Sequence, residues 1–166
     1  MTLLNRIIAF LELHGCWYRH DVHPLSYTAR ETAQADHVPP RCFAKTVVVH
    51  YADGYALAVL PADRIVNLND LREAFGSPSL RLASEHEVGD IFPDCDLGAM
   101  PPFGNGALYS IPVYADGLLM SEDAICFNAG THRDVIRIKV DDWCELVRPN
   151  VLALSAGRTM SAGAGT

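Results

Sequence analysis

The spacing of apolar residues along the chain predicts short helices alternating with strands. Near the N-terminus apolar side chains recur at helical spacing, at Leu3, Leu4, Ile7, Ile8 and Leu11. Thr2 can cap this helix and Gly15 can end it. A run of β-branched residues at 43–51 and a second apolar run at 55–60 flank Asp53-Gly54, which favours a tight hairpin turn.

Helix-capping patterns locate the other helices. Thr28 with Glu31, and Ser84 with Glu87, have the spacing of a capping box and predict helices over 29–36 and near 85–91. Asn67 opens a helix that Gly76 ends, and residues 141–147 predict a last short helix. Further strands are predicted at 107–114, 124–127 and 135–140, and the breaker-rich segment 93–105 is a shaped loop.

These elements predict an α+β fold in a single domain. We expect a curved, mixed sheet of six to seven strands surrounded by short helices. The domain should cover residues 1–153, and the small, polar, Gly-rich residues 154–166 are typical of a flexible C-terminal tail.

Composition narrows the class of protein. The chain has 166 residues, of which 49% are hydrophobic, and this is enough apolar surface for one core. No stretch reaches the roughly 20 apolar residues of a membrane span, and the N-terminus does not have the pattern of a signal peptide. We therefore expect a cytoplasmic protein with no membrane partner.

The sequence predicts neither a metal nor a cofactor. The five cysteines contain no C-x-x-C pair, which argues against a disulfide framework and a structural zinc site. His20 and His23 with Asp21 lack a third ligand at a supporting spacing. There is no P-loop, no G-x-S-x-G turn and no dinucleotide fingerprint.

The net charge of −7 argues against DNA and against any wide duplex-binding surface. Basic residues nevertheless fall into two sequence clusters that folding could bring together, namely Arg19, Arg30, Arg41, Lys45, Arg133 and Arg137. Such a cluster would allow the protein to grip one end of an RNA.

Lys45 is the first candidate for chemistry. It is one of two lysines and lies in a run that belongs in a core, where an ammonium needs an anionic partner. The alternative, that Lys45 points outward from an edge strand, stays equally open.

Two other segments could carry chemistry. In the loop from Gly98 to Gly104, Gly and Pro fix the backbone, so that amide donors could converge on a carbonyl oxygen. The alternative is a purely structural connection. The turn from Asn128 to His132 offers amide, hydroxyl and imidazole groups between two strands.

Together and in this order, the Ala44-Lys45-Thr46 segment, the Gly98 loop and the Asn128 turn resemble the YbaK/EbsC family. That family is related to the insertion (editing) domain of bacterial prolyl-tRNA synthetases, and the resemblance spans roughly residues 13–149. It implies a trans-editing deacylase that hydrolyses the ester of a mischarged tRNA carrying a small amino acid. The partners would be the tRNA acceptor end and a synthetase, with the protein a monomer or a homodimer.

The resemblance also implies roles for individual residues. Lys45 would be the functional lysine near the terminal adenosine, with Thr46 beside it. Backbone amides around Gly98, Ala99 and Met100 would hold the aminoacyl carbonyl. The far wall of the pocket would be Asn128, Gly130 and His132.

One departure from the family pattern and two rival functions accompany this resemblance. Many relatives have a second glycine where this chain has Ala99, whose Cβ could narrow the pocket. Because the sequence shows no recognisable nucleophile, a non-catalytic module that binds aminoacyl-tRNA ends or an aminoacyl-like ligand stays open. So does a purely structural or interaction domain.

Overall fold

The computed structural model describes residues 1–26 and 28–157. Within them lie the helices α1 (Leu3–Leu13), α2 (Ala29–Ala35), α3 (Leu68–Phe75), α4 (Glu85–Ile91) and α5 (Val140–Val147). The strands are β1 (Tyr18–Val22), β2 (Ala44–Tyr51), β3 (Gly54–Pro61), β4 (Arg64–Val66), β5 (Arg81–Leu82), β6 (Val113–Asp116), β7 (Ala124–Asn128), β8 (Asp134–Lys139), β9 (Asn150–Leu152) and β10 (Ser155–Gly157).

The strands form three sheets, and the α+β class is confirmed. A mixed five-stranded sheet has the order β5-β2-β3-β6-β9, with β6 parallel to both of its neighbours. A three-stranded antiparallel sheet has the order β1-β8-β7, and β4 pairs with β10. A single bridge between Phe43 and Cys126 joins the two larger sheets. We predicted six to seven strands in one sheet. The described residues contain ten strands in three sheets, and the four strands β4, β5, β9 and β10 are only two or three residues long.

The predicted caps form as expected. Thr2 accepts from the amide of Asn5 at the start of α1. The capping boxes at the starts of α2 and α4 are both complete. Gly76 ends α3 in the left-handed conformation that glycine tolerates.

The hairpin forms as predicted, whereas one strand was predicted too long. Lys45 pairs with Leu60 in the β2–β3 register. The predicted strand over 107–114 is wrong before Val113, because the chain turns there with positive φ at Asn105 and Leu108. The Asn105 side chain accepts from the Val113 amide and so fixes where β6 begins.

Residues 154–157, which were predicted to belong to the tail, are part of the folded domain. Leu154 is fully buried, and Ser155–Gly157 pairs with β4 instead of leaving the domain. Arg64 donates to both the hydroxyl and the carbonyl of Ser155. Residues 158–166 of the predicted tail lie outside the described residues.

Alternation along β2 divides its side chains between two cores. Ala44 and Val48 pack into the main core with α1, α5 and the three-stranded sheet. Val49 packs into a second cluster with Leu71 of α3. By the same alternation Thr46 lies on the main-core face and Lys45 on the opposite one. No helix in the described part of the chain is both long and apolar enough to cross a membrane.

Candidate functional site

The candidate segments meet where the two larger sheets touch. The parallel bridge between Phe43 and Cys126 sets β2 beside β7. Two residues further along each strand are Lys45 and Asn128, which by alternation lie on one side of this junction. Residues 83 positions apart in sequence therefore become neighbours.

The Gly98 loop is docked onto the turn that follows β7. The amide of Asp96 donates to the Gly130 carbonyl at 2.8 Å, and the amide of Gly130 donates to the Ala99 carbonyl at 3.1 Å. The ring Nε2 of His132 lies 2.5 Å from the Leu97 carbonyl oxygen and must be the donor, because a carbonyl only accepts. These hydrogen bonds fix the loop against the turn.

Gly130 is required at this contact for two reasons. Its φ of +89° is a conformation that side chains rarely adopt. A Cβ at this position would lie 2.9 Å from Leu3 Cδ2 of α1. Helix α1 therefore packs closely behind the turn.

Further polar contacts brace the turn, and they were not predicted from the sequence. Thr131 Oγ1 lies 2.6 Å from Asp134 Oδ2, and Thr131 also accepts from the amide of Asp134. The other oxygen of Asp134 lies 2.7 Å from His20 Nε2. His20, considered above as a metal ligand, thus contacts Asp134, and no metal-binding group of three or more side chains occurs among the described residues. His20 reaches Asp134 because β1 pairs with β8, and no local sequence pattern reports this long-range pairing.

The loop amides are not equivalent. The amide of Ala99 donates to the Asp96 carbonyl at 3.0 Å and is therefore occupied. The amides of Gly98 and Met100 donate to no group that the structure describes. Gly98 is exposed, whereas Ala99 is fully buried, so that the Ala99 methyl does not face solvent. Ala99 does not line the cleft beside the loop, and the effect of its Cβ on a substrate pocket stays a prediction.

An open cleft of about 830 Å³ lies beside the loop. Two of the predicted site residues, Gly98 and His132, line it. Its other lining residues are apolar or acidic, namely Leu25, Ala83, Glu85, Val88, Asp96 and Leu97. The side chains of Leu25 and Leu97 are large and 45% and 43% exposed, so the cleft has an apolar rim.

Lys45, Thr46 and Asn128 lie outside the cleft lining. Lys45 is half-buried, and its Nζ donates to the Arg64 carbonyl at 2.5 Å. Thr46 Oγ1 and Asn128 Oδ1 are buried and have no hydrogen-bond partner within residues 1–26 and 28–157. A buried polar atom without a partner costs about 1–3 kcal/mol, so these oxygens mark places that a donor could fill.

The cysteine next to the loop is not a reactive thiolate. Burial raises the pKa of Cys95 to about 12, and the charges of Asp94 and Asp96 raise it further in the same direction. A thiol with such a pKa stays protonated at neutral pH. Cys95 therefore offers the loop no thiolate nucleophile.

Comparisons with known proteins agree with one another. A family model described as an aminoacyl-tRNA editing domain matches residues 23–146. The multifunctional Ser/Thr-tRNA deacylase ProXp-y of Escherichia coli (strain K12) is 28% identical over 153 residues, which cover 89% of this chain and 90% of that protein. The proline–tRNA ligase of Thermotoga neapolitana is 32% identical over 72% of this chain.

The extent of these matches differs. The chain spans about a fifth of the length of the proline–tRNA ligases, 21% for Thermotoga neapolitana and 22% for Thermosipho africanus. The crystal structure of a candidate trans-editing enzyme for prolyl-tRNA synthetase superposes with a TM-score of 0.80 at 24% identity. That superposition covers 95% of this chain and 99% of the other, and it shows a shared fold.

Proposed function

The chain belongs to the aminoacyl-tRNA editing domain family, and on that premise we propose that it hydrolyses, in trans, the ester of a mischarged tRNA. The observation that carries the proposal is the docked Gly98 loop, which leaves the Gly98 amide without a protein acceptor at the edge of the cleft. An amide donor held in this way suits a carbonyl oxygen that gains negative charge during attack.

The proposed reaction needs no protein nucleophile. An aminoacyl ester is already activated, so that holding its carbonyl and positioning a water, or a hydroxyl or thiol of the substrate, can suffice. The Gly98 amide, together with that of Met100, would bind the carbonyl oxygen. Ala99, whose amide is occupied by Asp96, would instead fix the loop.

Lys45 is proposed to act by positioning and charge. Its ammonium is held at the Arg64 carbonyl beside the β2–β7 junction. A compact positive charge there would bind a phosphate or ribose oxygen of the terminal adenosine. The Asn128 oxygen, on the same side of the junction as Lys45, would accept a hydrogen bond from a ribose hydroxyl or from the adenine amine, whereas Thr46 lies on the opposite face of β2.

The substrate is proposed to carry a small amino acid. The Escherichia coli relative is named for serine and threonine, and it matches over nearly the whole length of both chains. The matches to proline–tRNA ligases support a synthetase as a partner. The carboxylates of Glu85 and Asp96 in the cleft lining suit the positively charged α-ammonium of an aminoacyl group.

The experiment is a deacylation assay with a panel of mischarged tRNAs. We expect ester loss above the spontaneous rate for at least one small amino acid, and loss of this turnover in Lys45→Ala with an unchanged melting temperature. A protein that accelerates none of the esters contradicts the proposal.

The rival function is a non-catalytic binding module, which would use the same site and likewise needs no nucleophile. The Cys95 thiol beside the loop is protonated and gives the site no nucleophile. If this function is correct, wild type binds aminoacyl-tRNA without turnover and Lys45→Ala loses the binding.

A further inference from the structure

A second cavity, of about 280 Å³, opens on the outer face of the three-stranded sheet. Three arginines line it: Arg19 on β1, Arg41 before β2 and Arg137 on β8. Arg19 lies directly opposite Arg137 in the β1–β8 register, and Cys126 of β7 lies opposite Arg137 on its other side. Strand pairing has therefore brought together basic residues more than 100 positions apart.

A neighbouring cavity extends this surface. It is about 520 Å³, shares Arg137, Asp123 and Ala124 with the first, and adds Trp17 and Lys139. The Trp17 side chain is an exposed large aromatic group at 49%. We call the combined surface the sheet-face groove, and its defining residues are Trp17, Arg19, Arg41, Arg137 and Lys139.

The cations of the groove are only partly neutralised. Arg19 donates to Asp21 at 2.9 Å, and Arg41 lies 3.7 Å from Glu122. Each guanidinium has further N–H groups beyond the one so engaged. Arg137 and Lys139 have no carboxylate within 4.0 Å in the described part of the chain.

Acidic residues that line the groove limit how much negative charge it can hold. Asp36, Glu122 and Asp123 line the first cavity, and Asp141 lines the second. The groove therefore suits a few phosphates rather than a long duplex. This is the short contact that a chain with a net charge of −7 can make.

The guanidinium charges converge on the floor of the first cavity. Burial raises the pKa of Cys126 to about 12, and Arg137 and Arg19 act in the opposite direction. Burial likewise raises the pKa of Cys42 to about 11, whereas Arg41 and Arg137 lower it. Arg137 is thus within electrostatic range of both thiols, whereas Arg19 acts on Cys126 and Arg41 acts on Cys42.

Strand β7 connects the groove with the candidate site. Ala124 lines both cavities of the groove, and Asn128 ends the same strand at the β2–β7 junction. Four residues of strand span about 13 Å. A nucleic acid whose 3′ end lies at the junction can therefore reach the groove with its next nucleotides.

We propose that the sheet-face groove binds backbone phosphates of the tRNA acceptor end while Trp17 stacks on a base. This inference rests on the proposed function, since it names a surface that holds the same substrate. Arginine and lysine bind phosphates by charge-assisted hydrogen bonds, and an exposed aromatic ring beside them is typical of single-stranded RNA surfaces. About three phosphate contacts give a slope near −2 for log K against log salt.

The test compares two substrates that share the ester and differ in the RNA. The double variant Arg137→Gln/Lys139→Gln should raise KM for mischarged tRNA about tenfold, because two phosphate contacts are lost. Its hydrolysis of 3′-aminoacyl adenosine should equal that of wild type. The matched control is Arg148→Gln, an exposed arginine at the end of α5 and outside the groove, which should change neither. An equal loss on both substrates, or no loss on tRNA, overturns the proposal.

Direct binding separates this proposal from the proposed function. Fluorescence anisotropy with uncharged tRNA needs no hydrolysis, so it decides the groove even if wild type cleaves neither ester. We expect weaker tRNA binding and a shallower slope of log K against log salt in the double variant. We expect the same, to a smaller extent, in the single variant Lys139→Gln, which changes only an exposed side chain. Wild type that does not bind tRNA at low salt contradicts the groove. Displacement of the tRNA by inorganic phosphate at the same concentration as the tRNA also contradicts the proposal, because the groove would then be a site for small anions.

Discussion

Single side chains of the docked loop and turn carry different roles, and His132 shows this most clearly. The family resemblance implied that His132 lines the substrate pocket, which stays a prediction, and its Nε2 also donates to the Leu97 carbonyl and so ties the turn to the loop. A residue that positions the amides of the Gly98 loop should affect kcat more than KM.

Two substitutions of His132 test this role, because they place a side-chain amide nitrogen at different distances from the backbone. In His132→Gln the amide nitrogen takes the place of Nε2, whereas in His132→Asn it stops at the place of Nδ1. We expect Gln to keep most of kcat and Asn to lose about 10- to 100-fold, with KM nearly unchanged in both, because the loop shifts only in the second. Equal activities of the two variants contradict a tether through Nε2.

Lys45 should contribute through its charge. Lys45→Ala removes a charge-assisted contact worth about 1.5–3 kcal/mol, so kcat/KM should fall about 10- to 100-fold. The control is Lys139→Ala assayed on 3′-aminoacyl adenosine, which should match wild type. Steady-state kinetics and a melting curve distinguish this result from unfolding, which would lower the melting temperature.

Gly130→Ala should destabilise the protein. The substitution places a Cβ at φ +89° and 2.9 Å from Leu3 Cδ2. A loss of about 1–3 kcal/mol in the free energy of unfolding follows from the strained backbone and the clash. Urea denaturation measures it, and combining the change with Leu3→Ala should not add the full cost of both, since the clash is then relieved. Strict additivity would contradict the contact.

Among the secondary-structure elements, α4 forms the cleft wall, and its N-terminus is held by one carboxylate. Glu87 accepts from the side chain of Arg81, from the amide of Ser84 and from the hydroxyl of Tyr55. The Arg81 guanidinium, the Ser84 amide and the Tyr55 hydroxyl, in that order, hold the pKa of Glu87 well below its usual range. Helix α4 is thereby joined to β3 and β5.

This arrangement predicts a pH dependence of stability. Because the pKa of Glu87 is lower in the folded than in the unfolded protein, its contribution is fully present above the ordinary value of 4.5 and is lost as the pH falls below it. Glu87→Gln should therefore flatten the decline of the melting temperature in acid. The matched control Glu12→Gln, at an exposed position of α1, should leave the decline as in wild type. Identical curves for Glu87→Gln and wild type contradict the prediction.

The sequence predicted elements whose signals are local and failed where distant contacts decide. The capping boxes at Thr28 and Ser84 and the Asp53-Gly54 turn are each complete within a few residues. The strand expected over 107–114 failed because Asn105 and Leu108 take positive φ, and the Asn105 side chain is held by carbonyls at the end of α5. No local pattern reports such a contact.

The candidate site shows the same division. The three segments were recognisable because their residue order resembles a family. That Asp134 and His20 brace the turn and that Lys45 lies outside the cleft lining depend on the pairing of distant strands. Pairing of this kind is set by the whole core and not by neighbours in sequence.

At the scale of the whole molecule, a chain with a net negative charge can bind RNA only where its basic residues are clustered on one surface. The fold gathers Arg19, Arg41 and Arg137 on one sheet face, and the net charge elsewhere opposes wide contact. The molecule would thus combine a backbone-built ester site with a short phosphate groove, and the end of the RNA would bridge them.

Hydrolysis of the ester is the central claim about this protein. The decisive measurement is the single-turnover rate at which the wild-type protein releases the amino acid from tRNAs mischarged with small amino acids. The account predicts a rate about 100-fold or more above spontaneous hydrolysis for at least one of them, the scale of a preorganised amide donor. Rates equal to the spontaneous reaction for the whole panel, with protein in excess, would contradict it.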